Sequence, residues 1–142
     1  MTSGQVESGP ANAHAPAILI VDDDILVRFV SAEILREEGY RVLEAADASE
    51  ALALLKTGQP VDLVLSDVRM PGSIDGLTLA RTVKEMRPHL PVALVTSHLP
   101  PDTVHMADGF LAKPYAVPQL LEIVAQMIGP ERKCTHSSPI AS

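Results

Sequence analysis

The stretch 62-DLVLSDVRMPGSIDG-76 decides how this chain folds. A nearly continuous apolar run, Val61 to Leu65, stops at Ser66 and Asp67. Met70, Pro71 and a Gly-rich turn follow. A run that short, apolar on both alternating faces, predicts a strand covered on both sides, as in a parallel sheet. A carboxylate at its end is then held on a rigid mount beside a loop.

Working outward, similar runs alternate with amphipathic segments. Ala17–Val21 reads as a first strand and Tyr40–Ala45 as a weaker second. Val61–Ser66 is the third, Val92–Thr96 the fourth, and Phe110–Ala112 belongs to a fifth. Between them, 25-ILVRFVSAEILREE-38 shows helical spacing at Leu26, Val27, Val30, Ile34 and Leu35. Asp24 stands at its N-cap position and Gly39 closes it. Ser49–Thr57, Leu77–Met86 and Pro118–Ile128 read as further helices. The expected fold is a doubly wound α/β domain, a five-stranded parallel sheet in the order 2-1-3-4-5.

The flanks differ in composition. Residues 1–16 and 130–142 are rich in small residues and proline and read as disordered tails around a domain at 17–129. The chain has 142 residues, enough for one sizeable core. Aromatic residues are 3% and Trp is absent, so that core is aliphatic. A net charge of −7 argues against autonomous nucleic-acid binding, which needs a basic patch. The lone Cys134 can build neither a disulfide framework nor a zinc site. The N-terminus lacks the basic and apolar regions of a signal peptide. No apolar run reaches the roughly 18 residues that would span a bilayer. The expected location is the cytoplasm.

In an open parallel sheet, ligands bind beyond the carboxyl ends of the strands. Asp22, Asp23 and Asp24 follow strand 1, Asp67 follows strand 3, Thr96 ends strand 4, and Lys113 ends strand 5. Three carboxylates at one edge repel and need a counter-charge. Mg²⁺, a hard cation with oxygen ligands, supplies it, and Lys113 adds more. Metal, lysine and hydroxyl together would stabilise a phosphoryl group. Taken singly, each feature has a plainer reading: Asp caps helices, Lys113-Pro114 is an ordinary loop pair, and Thr96 an ordinary strand end.

Taken together, the motifs ILIVDDD, LVLSDVRMPG with DG, ALVTS and KPY resemble the receiver domain of two-component response regulators over about 17–129. The resemblance implies that Asp67 is the phosphoacceptor. It implies that Asp22, Asp23, Asp67 and the backbone carbonyl of Arg69 hold Mg²⁺. Thr96 is then the switch hydroxyl, Lys113 the lysine that pairs with the phosphoryl group, and Phe110 the aromatic switch residue. Lys113-Pro114 is expected as a cis peptide at Pro114. The phosphoryl donor would be a phosphohistidine on a histidine kinase or histidine phosphotransferase, and the receiver of the signal an unknown protein, without nucleic acid or membrane. Phosphorylation would reshape the face of helix 4, strand 5 and helix 5. Slow hydrolysis of the aspartyl phosphate would end the signal, so the protein is not an enzyme in the turnover sense.

Three departures stand out. The turn 70-MPGSIDG-76 carries one residue more than the common spacing, so a local bulge is expected. The interval from Thr96 to Lys113 is short, which leaves the family's fourth helix shortened, with one turn near Asp102–Met106. His98 and His105 lie there; His98 and Arg69 border the site and are candidates for tuning the phosphate's lifetime. Finally, the residues after 129 are too few for a DNA-binding output domain, so a stand-alone regulator is expected, with a receiver excised from a larger protein as the alternative.

Two other classes compete. A phosphatase of the haloacid dehalogenase type also uses Asp, Mg²⁺, Thr and Lys, but its nucleophile lies in strand 1 in a DxDx[TV] motif, where this chain places Leu26. A phosphorylation-independent docking module would lose part of the acidic set, which this chain keeps.

Overall fold

The computed structural model describes residues 15–69, 74–96 and 107–129. The elements are β1 Ala17–Val21, α1 Ile25–Glu37, β2 Arg41–Ala45, α2 Ala48–Lys56, β3 Leu63–Asp67, α3 Gly76–Met86, β4 Val92–Thr96, β5 Gly109–Ala112 and the C-terminal helix α4 Val117–Ile128. The five strands form one sheet in the order β2-β1-β3-β4-β5, and every pair is parallel.

Alternation along each strand divides the core. Ile18 and Ile20 of β1, Leu63 and Leu65 of β3, and Ala93 and Val95 of β4 pack with Leu35 of α1 and Leu120 and Val124 of the C-terminal helix. Leu19, Val21, Val64, Val92 and Leu94 point the other way, against Ala51 and Leu55 of α2 and Leu79 and Val83 of α3. The strands are apolar at successive positions because both faces are covered. Leu94 is fully buried in the second layer. Leu94→Ala is expected to cost about 3 kcal/mol, seen as a lower urea midpoint at an unchanged slope.

Local chemistry sets the helix ends. Asp24 accepts from the N–H groups of Leu26 and Val27, Asp47 from Glu50, and Asp75 from Thr78. Gly39 and Gly58 follow α1 and α2 at φ 99° and 83°, the left-handed region that glycine enters without penalty. None of the described helices is long and apolar enough to cross a membrane.

Some boundaries move. The third strand starts at Leu63 rather than Val61; just before it, the Asp62 N–H donates to the Ala17 carbonyl at 2.7 Å and the Asp62 carboxylate accepts the Ala17 N–H at 2.8 Å. It runs one residue further, so Asp67 is the last strand residue and not the first of the loop. Ala15 and Pro16 are buried, and their carbonyls accept from Arg41, so ordered chain begins before residue 17. The expected bulge after Met70 and the expected turn at Asp102–Met106 lie, in part or whole, outside the described residues.

Candidate functional site

The parallel register lines up the carboxyl ends of four strands. Val21 pairs with Ser66, Asp67 with Val95, and Thr96 with Ala112. Asp22, Asp67 and Thr96 are therefore neighbours at one edge, and all three are buried. Lys113 follows β5, and its N–H donates to the Thr96 carbonyl at 3.0 Å.

Asp67 is held on both carboxylate oxygens. Lys113 Nζ donates to Oδ2 at 2.9 Å, and the Arg69 N–H donates to Oδ1 at 3.3 Å. Asp22 turns back on its own loop, accepting the Asp24 N–H at 2.9 Å. Asp23 is exposed at the rim. One oxygen each from Asp22, Asp23 and Asp67 lies within 4.8 Å of the others. The Lys113-Pro114 peptide is cis. Phe110 is half-buried in β5 and packs against the α2 and α3 layer. His98 lies outside the described residues.

Burial raises the Asp22 carboxyl above its ordinary value; the Asp24 N–H opposes this, and the charge of Asp67 adds to it. For Lys113, burial pulls the ammonium down, but the hydrogen bond and charge of Asp67, with the charge of Asp22, outweigh it. The net direction is upward. An upward shift of an acid means the folded state favours protonation. The stability tied to Asp22 is full below its unfolded value, near 3.8, and is lost as pH rises through the higher folded value. Without metal, Asp22→Asn is thus expected to unfold at higher urea than wild type at pH 7, the gap closing near pH 3. Saturating Mg²⁺ is expected to reverse the order, since a ligand at a hundred-fold excess over its Kd adds about 2.7 kcal/mol to the form that binds it.

These residues fit a hard divalent cation. The three acidic side chains carry a formal −3, Lys113 supplies +1, and the converging donors are all oxygen. One contact has no counterpart in the motif reading: Arg28 Nη1 donates to the Asp22 carbonyl at 2.7 Å. Helical spacing places Arg28 one turn beyond the Asp24 cap, which is the only sequence signal for it.

A doubly wound α/β sheet with carboxylates, hydroxyl and lysine gathered at its strand ends defines the class. The model of the response regulator receiver domain matches residues 18–125. The chain belongs to this family, the receiver domains of two-component systems. It is 39% identical over 113 residues to the C4-dicarboxylate transport transcriptional regulatory protein DctD of Rhizobium meliloti, covering 76% of this chain and 24% of that protein. Among solved structures it resembles the receiver domain of the hybrid histidine kinase CckA, with TM-score 0.69 and 38% identity over 80% of this chain and 99% of that one. It also resembles the response regulator TrrA of Thermotoga maritima, solved in complex with Mg²⁺-BeF, with TM-score 0.73 and 31% identity over 79% and 98% of the two chains. The match spans between 24% and 35% of the length of DctD and of the regulatory protein AruR of Pseudomonas aeruginosa.

Proposed function

We propose that this domain takes a phosphoryl group onto Asp67 from a phosphohistidine on a histidine kinase or histidine phosphotransferase. The observation that carries the reading is the state of Asp67: buried at a strand end, with Lys113 on one oxygen, the Arg69 N–H on the other, and Asp22 and Asp23 alongside. A carboxylate oxygen of Asp67 attacks phosphorus in line as the P–N bond to the imidazole breaks. The imidazole leaves with the bonding pair and takes a proton from water. Lys113 then pairs with a phosphoryl oxygen, and the Thr96 hydroxyl donates to another.

Asp22, Asp23, Asp67 and the Arg69 carbonyl would hold Mg²⁺, which supplies positive charge where the phosphoryl oxygens gather negative charge. The rigid β3 mount keeps the nucleophile oriented, which is most of what a protein can contribute to this chemistry. Exposed apolar side chains Ile25, Leu26, Phe29 and Val117 give the donor protein a surface to land on. Thr96 and Phe110, on adjacent strands, would then shift together and alter the face of β5 and the C-terminal helix, which an unknown downstream protein reads. Arg69 and His98 would set how long the aspartyl phosphate survives before water removes it.

The test is intact mass after incubation with acetyl phosphate, with and without Mg²⁺, followed by proteolytic mapping. The expected result is a Mg²⁺-dependent gain of one phosphoryl group at Asp67. A folded protein that gains none overturns the proposal.

A further inference from the structure

We infer that Arg28 is a positioning residue for the divalent-cation site, acting through the peptide that joins Asp22 to Asp23; the inference rests on the metal reading above. Arg28 lies on α1, and its own N–H donates to the carbonyl of the Asp24 cap at 2.9 Å. Its side chain reaches back over the loop, and Nη1 donates to the Asp22 carbonyl at 2.7 Å. That carbonyl belongs to the planar unit whose N–H is that of Asp23. Holding it fixes the plane between the two carboxylates, and so their relative orientation.

Asp22 has two other anchors. Its N–H donates to the Ala45 carbonyl at 3.1 Å, and its Oδ1 accepts from Asp24. These fix the start of the loop and the Asp22 carboxylate. The second closes a turn across the Asp22–Asp23 peptide, and Arg28 holds the carbonyl of that peptide directly.

The guanidinium is itself aimed. Nε donates to Glu44 Oε1 at 3.2 Å, and Glu44 Oε2 accepts from Arg36 Nη2 at 3.3 Å. The Arg28 side chain is 16% exposed and that of Arg36 40%. An ion pair tying α1 to β2 would need only Glu44. The shorter of the two Arg28 bonds goes instead to the acidic loop. The planar fork of arginine suits both contacts at once, whereas lysine presents a single point donor.

The experiment is calorimetric titration of Mg²⁺ into the full chain, for wild type, Arg28→Gln, Arg28→Lys, Glu44→Gln and Arg36→Gln, with urea midpoints of the metal-free proteins alongside. Loss of a partner that orients a ligand typically weakens metal binding ten-fold or more. Arg28→Gln is expected to raise the Mg²⁺ Kd by roughly ten-fold, with Arg28→Lys and Glu44→Gln falling between it and wild type. Arg36→Gln, which touches Glu44 but not the loop, keeps the wild-type Kd. A merely structural Arg28 would lower the urea midpoint and leave the Kd unmoved, and that result overturns the inference. If Arg28→Gln does not fold, wild-type Kd values in both Arg28→Lys and Glu44→Gln overturn it equally. A wild type that binds no Mg²⁺ overturns the metal reading and this inference together; a wild type that binds, matched by Arg28→Gln, overturns this inference alone.

Discussion

Asp67→Asn is expected to show no mass gain with acetyl phosphate and Mg²⁺ under conditions where wild type takes up one phosphoryl group. The amide is nearly isosteric with the carboxylate, but its single oxygen can accept from only one of the two donors, the Lys113 ammonium on Oδ2 or the Arg69 N–H on Oδ1. It lacks the anionic oxygen proposed to attack phosphorus, so the expected loss is complete and not partial. The fold is expected to survive. Removing one of three crowded carboxylates lessens repulsion, and the charge of Asp67 is one of the causes that raise Asp22. The Lys113 ammonium loses its charged partner at the same time, so metal-free Asp67→Asn should unfold at a urea concentration close to that of wild type. Undiminished labelling would place the acceptor elsewhere. Lost labelling together with lost structure would make Asp67 a structural residue first.

Much of this site could be read from the chain because parallel strands leave little ambiguity. Val61–Leu65 and Val92–Thr96 are apolar on both alternating faces, and that requires cover on both sides. Once the strands are parallel and ordered 2-1-3-4-5, the residues after strands 1, 3, 4 and 5 must share an edge. Asp22, Asp67, Thr96 and Lys113 were found there for that reason. The Asp24 cap was equally local, since it accepts from N–H groups two and three residues ahead; Asp47 and Asp75 cap their helices in the same way but were not read as caps from the sequence.

What the sequence hid was long-range. Periodicity says nothing of the Asp62 carboxylate reaching the Ala17 N–H, 45 positions away, just before β3 begins. It is equally silent on Arg28, whose helical position is a generic solvent-facing one until Glu44 and the Asp22 carbonyl are brought beside it. The hydrogen bond between Ser31 and the Tyr115 hydroxyl at 3.0 Å joins α1 to the loop after the cis proline, and neither residue carries a signal for it. The orientation of Phe110 depended on which layer its strand face meets, and it meets the α2 and α3 side.

Gly76→Ala is expected to be a strongly damaging single-methyl change. In the sequence this glycine looks like turn chemistry. In the structure it opens α3 directly against the end of β3, and its N–H donates to the Val68 carbonyl at 2.8 Å. A Cβ there would collide with the Asp67 carbonyl oxygen, lie 2.7 Å from the Val68 Cα and 3.0 Å from the Asp67 carbonyl carbon. These are backbone atoms and cannot swing aside, so either α3 or the end of β3 must move. Overpacking of this kind typically costs about 1 to 3 kcal/mol, and here it falls on Asp67, the proposed nucleophile. The urea midpoint should drop sharply, and the labelling rate per folded molecule should fall as well, because Asp67 is displaced from Lys113. Gly58→Ala is the control. Gly58 sits at φ 83° with nothing within 4 Å of an added Cβ, so alanine there meets only backbone strain of about 1 kcal/mol, far from the site. If both variants lose the same stability and label at the wild-type rate, Gly76 is a turn glycine after all, and the seating of α3 on β3 does not hold Asp67 in place.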